Sequence, residues 1–165
     1  MRIYLIGYMG CGKSTLGKDL ATKLKIQFID MDHYIEARNH KTVPQIFADE
    51  GEEAFRLKER KALEELSVFD DVVIATGGGA PCFFDNMDLM NRTGKTIFLN
   101  IDPQILAYRL IHSKTERPLI QGKSKEELTQ FINESLEKRK PFYEKAELHI
   151  TDPDIKMEQL FGMIN

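Results

Sequence analysis

The sequence predicts a three-layer α/β/α domain in which a parallel sheet of five strands lies between helices. Two observations indicate this fold class. Short apolar runs alternate with longer segments of helical apolar spacing along the whole chain. The first apolar run, residues 3–6, leads through a glycine-rich turn directly into a helical pattern. Strand, helix and strand in this order require crossovers, and right-handed crossovers place helices on both faces of a parallel sheet.

Composition and charge limit the classes of function. The 165 residues, 42% hydrophobic and 30% charged, suffice for one globular domain. No apolar run approaches the roughly 18 residues that a membrane span needs, and the net charge of -3 does not favour nucleic-acid binding. Two cysteines outside a C-x-x-C pair do not favour a disulfide framework or a zinc site. We therefore expect a cytoplasmic monomer that binds neither membranes nor nucleic acid.

The turn after the first strand carries the motif G-x-x-x-x-G-K-S, from Gly7 to Ser14. Its glycines let backbone N–H groups point at phosphate oxygens, and the following helix N-terminus adds partial positive charge. Lys13 is placed to neutralise the outer phosphates, and Ser14 to ligate Mg²⁺. An ordinary glycine turn is the alternative, but the strand before and the helix after are the context that this motif requires. The sequence thus predicts a nucleoside triphosphate site.

The second strand, residues 25–30, carries Asp30 at its end and is followed by Asp32. If the backbone stays extended there, both carboxylates point to the same side at the carboxyl end of a strand. Ligands of open parallel sheets bind at that edge. Short helical pieces follow up to residue 47, Gly51 breaks the chain, and residues 52–66 form a helix that carries Arg56.

The third strand, residues 72–76, leads into three consecutive glycines at 77–79. Because such a run costs conformational entropy, we expect another group to approach this backbone closely, with a plain flexible turn as the alternative. A helix near residues 84–90 and a fourth strand at 95–100 follow. Asp102 and Pro103 have the pattern of an N-cap and first helical position.

Helical periodicity lapses over residues 112–123, a polar, cationic stretch that contains Arg117 and forms either a surface connection or a mobile lid. Ser124 can cap the next helix, whose apolar stripe continues at helical spacing to Arg139. That cation either snorkels at the helix end or lies in a site, and the stripe alone leaves both open. A fifth strand at 147–151 and a closing helix with apolar residues at 157, 160, 161 and 164 complete the chain.

The phosphate loop does not by itself specify a reaction. A switch-type GTPase would need a guanine-reading Asn-Lys-x-Asp, which the sequence lacks. A motor ATPase would need an acidic residue where this chain has Thr76 and Gly77. A small kinase remains, and phosphoryl transfer requires Mg²⁺, cations around the moving group and a residue that orients the acceptor hydroxyl.

Six motifs in order resemble the shikimate kinase family over nearly the whole chain. They are Gly-x-Met-Gly-x-Gly-Lys-Ser-Thr, Asp30-x-Asp32, Gly51-Glu52-x-x-Phe55-Arg56, Gly77-Gly78-Gly79-Ala80, Arg117-Pro118-Leu119 and Arg139-x-Pro141-x-Tyr143. The resemblance implies the fold of nucleoside monophosphate kinases. It also implies transfer of the γ-phosphoryl group of ATP to the 3-hydroxyl of shikimate, a step of chorismate and aromatic amino acid biosynthesis.

The resemblance also implies residue roles. The catalytic residues would be Lys13, Asp32 and Arg117. ATP would be held by Gly10, Cys11, Gly12, Lys13, Ser14, Thr15 and Arg117, and Mg²⁺ by Ser14 with Asp30 assisting through water. Shikimate would be held by Asp32, Arg56, Gly78, Gly79 and Arg139. The substrate-binding region would span about residues 32–60 and the lid about 112–123.

Two positions depart from the family pattern: Cys11 replaces a usual serine or alanine, and Leu110 replaces an expected adenine-side arginine, which leaves Arg109 as its substitute. A gluconate-kinase-like enzyme and a catalytically inactive nucleotide-binding module are the competing hypotheses. Arg56 and Arg139 argue against the first. The presence of Lys13, Asp30, Asp32 and Arg117 together argues against the second.

Overall fold

A computed structural model of the chain describes residues 1–113 and 122–165. Within these ranges the strands are β1 (Arg2–Ile6), β2 (Gln27–Asp30), β3 (Val72–Ala75), β4 (Lys95–Leu99) and β5 (Leu148–Ile150). The helices are α1 (Lys13–Leu24), α2 (Met31–Asn39), α3 (Val43–Leu66), α4 (Asn86–Thr93), α5 (Pro103–Ile111), α6 (Lys125–Tyr143) and α7 (Met157–Ile164). A 3₁₀ turn, Ala80–Cys82, precedes α4.

The five strands form one parallel sheet in the order β2-β3-β1-β4-β5. Helices stand in every crossover between these strands, and the predicted fold class is confirmed. The central strands β1 and β3 are almost wholly buried, as their continuous apolar sequences predict for strands covered on both faces. Because all strands run the same way, the loops after β1, β2 and β3 meet at one edge of the sheet.

The expectation of an extended backbone from Asp30 to Asp32 is wrong. Asp30 is the N-cap of α2, and its Oδ1 accepts hydrogen bonds from the backbone N–H groups of Asp32 and His33 at 3.0 and 3.3 Å. An aspartate directly before a helix satisfies amides that would otherwise be unpaired. Asp32 therefore projects from the first turn of a helix rather than from a strand.

Two predicted element boundaries also need correction. Lys25 adopts a left-handed conformation (φ 58°) that caps α1, so β2 begins only at Gln27. Phe84 is also left-handed (φ 51°), and α4 begins at Asn86 instead of residue 84. Local backbone reversals of this kind by residues other than glycine have no apolar periodicity to reveal them.

Other local predictions are confirmed. Gly51 interrupts α3 with a non-helical conformation (φ 87°). Asp102 accepts a hydrogen bond from Gln104 N–H at 2.8 Å, and Ser124 accepts one from Glu127 N–H at 3.2 Å, so both are helix caps. Of the predicted lid, residues 114–121, including Arg117, lie outside the described residues. Among the helices of the described residues, none has the length and apolar character needed to cross a membrane.

Candidate active site

A cavity of about 620 Å³ lies at the carboxyl edge of the sheet. The phosphate loop, the end of β2 and the first glycines after β3 all line it. The predicted ATP and metal residues are therefore brought together, and Asp32 and Gly78 lie on the same wall. Arg117 belongs to the segment outside the described residues.

The phosphate loop has the backbone that anion binding requires. Gly10 and Gly12 have φ of 81° and 99°, a region that residues with a side chain rarely adopt. Gly12 is the N-cap of α1 and offers no side-chain cap, so the first amides of the helix remain available to a ligand. Lys13 Nζ donates to the carbonyl oxygens of Gly7 and Tyr8 at 2.5 and 3.2 Å. The ammonium thus lies over the loop that would hold the phosphates.

Cys11 is a buried part of this loop rather than an exposed thiol. Its side chain is only 4% exposed, and its Sγ lies 3.8 Å from Lys13 Nζ. A Cβ atom on Gly7 would come within 2.7 Å of this sulfur. The close packing between Cys11 and Gly7 indicates that Cys11 is a small residue that fits the loop.

Ser14 and Asp30 form the candidate magnesium site. Ser14 Oγ donates a hydrogen bond to Asp30 Oδ2 at 3.1 Å, while the other carboxylate oxygen caps α2. A hydroxyl and a carboxylate oxygen are ligands that Mg²⁺ prefers, and Mg²⁺ in phosphoryl-transfer sites takes its remaining ligands from water and phosphate. The described residues contain no group of three or more His, Cys, Asp or Glu side chains that could hold a metal ion. The pair fits an ion shared with a bound nucleotide.

Asp32 lies deeper in the cavity, beside the first glycine of the triplet. A Cβ atom on Gly77 would lie 3.0 Å from Asp32 Oδ1, so only glycine leaves this carboxylate its present position. Burial, and next the negative charge of Asp30, raise the pKa of Asp32, while Lys13 partly opposes them. A carboxylate with a raised pKa is a better proton acceptor than an exposed one.

The other two glycines each lie against one of the predicted arginines. A Cβ atom on Gly79 would be 2.7 Å from Arg56 Nη1 and Nη2, and one on Gly78 would be 3.3 Å from Arg139 Nη1. Arg139 also lies over the ring of Tyr8, 5.2 Å from its centroid. The expected close approach at the glycine run is therefore present, and the guanidinium of Arg139 packs against Gly78 and Tyr8. Gly78 lines the cavity, whereas Gly79, Arg56 and Arg139 lie beside it and are not part of its lining.

Comparison with known proteins assigns the family. The model of the shikimate kinase family matches residues 9–164 of the chain. A shikimate kinase of Bacteroides thetaiotaomicron is 57% identical over 147 residues, which cover 89% of this chain and 84% of that protein. The chain belongs to the shikimate kinase family.

Solved shikimate kinase structures have the same fold. The crystal structure of shikimate kinase from Bacteroides thetaiotaomicron matches with a TM-score of 0.91 at 52% identity and covers 99% of this chain and 94% of that one. Shikimate kinase from Acinetobacter baumannii, solved in complex with shikimate, matches with a TM-score of 0.86 at 35% identity, over 99% and 89% of the two chains. The family and the ATP-dependent kinase activity predicted from the sequence are thereby confirmed.

Glu59, for which the sequence predicts no role, lies beside Arg56 and Gly77. It is 1% exposed, and its Oε1 accepts a hydrogen bond from Arg56 Nη1 at 3.0 Å. A Cβ atom on Gly77 would lie 3.1 Å from Glu59 Oε2 and 3.0 Å from Asp32 Oδ1, so the two carboxylates are neighbours. Burial raises the pKa of Glu59 to about 7, although Arg56 opposes the shift. Glu59 lies four residues from both Phe55 and Leu63, on the buried side of α3. This spacing could have indicated that its carboxylate is buried.

Tyr143 has a clear place in this shikimate kinase fold, although the motif that contains it implied no role. Its ring is fully buried, and its hydroxyl donates a 2.5 Å hydrogen bond to the carbonyl oxygen of Gly78. Burial raises the pKa of the hydroxyl, which keeps it protonated and able to donate. Helix α6 thereby fixes the glycine run on which the arginines rest.

Leu110 stands where the resemblance leads us to expect an adenine-side arginine. Leu110 is 5% exposed, and its side chain packs 3.2 Å from where a Cβ atom on Gly10 would be. Arg109 lines the cavity and donates from Nη1 to the carbonyl oxygen of Gly10 at 3.2 Å. Arg109 is therefore a cationic residue of α5 that lies beside the phosphate loop.

Proposed function

We propose that the protein uses this cavity for the reaction of its family: it transfers the γ-phosphoryl group of ATP to the 3-hydroxyl of shikimate, which yields shikimate 3-phosphate and ADP. The observation that carries the proposal is one continuous arrangement. The phosphate loop and a half-buried aspartate, Asp32, line one cavity, and the glycine triplet beside that aspartate contacts two arginines. Shikimate is a polyhydroxylated carboxylate, so it complements an aspartate and two guanidinium groups.

The nucleotide phosphates would bind the amides of residues 10–15 and the ammonium of Lys13. Mg²⁺ would be held by Ser14, with Asp30 assisting through water, and would neutralise the charge that develops on the transferred group. The ammonium of Lys13 now donates to carbonyl oxygens of the loop, and incoming phosphate oxygens would replace them as acceptors. Arg117 stays a predicted second cation.

Asp32 would bind the acceptor hydroxyl and accept its proton as the new P–O bond forms. Burial beside a second carboxylate supports this role, because both raise the pKa of Asp32 and favour proton transfer to it. Arg56 and Arg139 would bind the carboxylate of shikimate, with the backbone of Gly78 and Gly79 against the ring. Forked guanidinium groups suit a planar carboxylate because they can donate two parallel hydrogen bonds.

A coupled assay of ADP release tests the proposal directly. Shikimate, quinate, gluconate and a nucleoside monophosphate would be offered separately, each with ATP and Mg²⁺. We expect turnover with shikimate, and none in the Lys13→Ala variant, because that lysine meets the phosphates where charge is redistributed. Turnover that depends on gluconate or a nucleotide instead would reject the proposal. Normal turnover by Lys13→Ala would reject the role of the phosphate loop.

The oligomeric state and the cellular location of the protein remain predictions. We expect a monomer. Size-exclusion chromatography with light scattering would measure this. The dependence on ATP as phosphoryl donor supports the expected cytoplasmic location.

A further inference from the structure

The guanidinium of Arg56 has an unusual set of neighbours. Within the described residues, its side chain makes one hydrogen bond, which Nη1 donates to Glu59 at 3.0 Å. Its Nε is buried without a hydrogen-bond partner, and Glu52 Oε1 stands 3.6 Å away as an exposed ion-pair partner. A guanidinium held at one nitrogen can still swing about that bond. Polar contacts alone therefore do not fix the plane in which Arg56 presents its donors.

The guanidinium of Arg56 lies over an aromatic ring. The carbon atom Cζ of Arg56 lies 4.1 Å from the centroid of Phe83, compared with 5.3 Å for Phe55 and 6.0 Å for Phe47. The backbone of Gly79 approaches the same group, since a Cβ atom there would lie 2.7 Å from Nη1 and Nη2. Stacking on a ring face leaves the N–H edge of a guanidinium available for hydrogen bonds.

The turn that carries Phe83 is fastened to the helix that carries Arg56. Arg60, one helical turn further along α3, donates from Nη1 to Asp85 Oδ1 at 2.6 Å and to Asn86 Oδ1 at 2.8 Å. The buried Asn86 in turn donates from Nδ2 to the carbonyl oxygen of Ala80 at 2.8 Å. Hydrogen bonds thus join the turn that carries Phe83 to the helix that carries Arg56.

The backbone next to Phe83 is strained. Phe84 has φ 51°, a conformation that bulky residues rarely adopt, and its side chain is 58% exposed. Two adjacent phenylalanines therefore face different surroundings: Phe83 lies on Arg56 while Phe84 points to solvent. Strain of this kind persists where surrounding structure imposes it, and it concentrates at functional sites.

We propose that Phe83 is a positioning residue, whose ring fixes the guanidinium plane of Arg56 so that its forked donors meet the carboxylate of the acceptor substrate. This rests on the proposed function, in which Arg56 binds the carboxylate of shikimate. A guanidinium held in place before binding loses less conformational freedom when the carboxylate arrives. Phe83 thus contributes to affinity without contacting the reacting atoms.

The test compares Phe83→Leu with the matched variant Phe84→Leu. Phe83→Leu keeps an apolar side chain but removes the aromatic face, and we expect the KM for shikimate to rise about three- to thirtyfold. The kcat and the KM for ATP should stay within about twofold, which also shows that the variant folds. Phe83→Tyr retains the ring and should restore the KM for shikimate. Phe84→Leu should behave as the wild type.

A double-variant cycle separates stacking from general packing. In the Arg56→Lys background the planar group is absent, so Phe83→Leu should raise the KM for shikimate much less than it does in the wild type. An equal rise in both backgrounds overturns the proposal, as does an unchanged KM in Phe83→Leu while the wild type phosphorylates shikimate. A wild type that does not phosphorylate shikimate overturns the proposed function itself and this inference with it.

Discussion

At the scale of single residues, local structure gives Asp30, the last residue of β2, and Asp32, in the first turn of α2, different surroundings. The carboxylate of Asp30 accepts three hydrogen bonds, two from the first amides of α2 and one from Ser14. The carboxylate of Asp32 is half-buried beside Gly77. Asp32→Asn keeps the shape but removes the charge and the ability to accept a proton. We expect kcat with shikimate to fall by about 10²- to 10⁴-fold, with the KM for ATP little changed. An equal loss of ATP affinity would instead place Asp32 in the metal site.

Arg139 offers a second prediction at this scale. Its guanidinium lies between Gly78 and the ring of Tyr8, a position that suits a planar group. Arg139→Lys retains the charge but loses the fork, so the KM for shikimate should rise about tenfold or more while that for ATP holds. Initial-rate measurements with each substrate varied would check this. A shikimate KM that does not change would make Arg139 a structural residue.

At the scale of elements, the glycine run after β3 is matched to the side chains around it. Gly79 has an ordinary backbone conformation (φ -89°), so alanine fits its dihedral angles. Its added Cβ, however, would lie 2.7 Å from the guanidinium of Arg56 and displace it. We expect Gly79→Ala to raise the KM for shikimate about tenfold with little loss of stability, since a flexible side-chain end can move.

Gly162→Ala is the matched control for that substitution. Gly162 lies in α7 with no atom within 4 Å of an added Cβ, so this alanine should leave both KM values unchanged and stabilise the helix by about 0.5–1 kcal/mol. Steady-state kinetics and thermal unfolding measure the two effects. If Gly79→Ala and Gly162→Ala had the same KM for shikimate, the contact between Gly79 and the guanidinium of Arg56 would not affect shikimate binding.

The elements that could be predicted are those with a signal in the local sequence. Buried strands such as β1 and β3 could be predicted from their continuous apolar runs. The phosphate loop could be predicted from the fixed spacing of its glycine, lysine and serine residues. Lys25 and Phe84 reverse the chain through left-handed conformations, and neither residue type indicates such a conformation in the sequence. Glu59 was missed because a charged residue on a helix is ordinarily exposed, and its burial depends on Arg56 and Gly77 meeting it in space.

At the scale of the whole molecule, the buried Glu59 couples stability to pH. Its burial raises the pKa from 4.5 to about 7 in the folded protein, so the folded form binds an extra proton between these values. Its contribution to stability is therefore fully present below about pH 4.5 and is lost as the pH rises through 7. At 1.36 kcal/mol per pKa unit the loss amounts to at most about 3 kcal/mol.

Glu59→Gln removes this titration while it nearly preserves the side-chain shape. We expect the free energy of unfolding of the wild type to fall relative to that of Glu59→Gln as the pH rises from about 4.5 to 8, by up to about 3 kcal/mol. Urea unfolding at several pH values would measure the difference. Glu52→Gln removes the exposed carboxylate beside the same guanidinium and should retain the fall seen in the wild type. If the free energy of unfolding had the same pH dependence in the wild type and in Glu59→Gln, Glu59 would not titrate in this pH range. The positive charge of Arg56 would then outweigh burial and keep the carboxylate ionised.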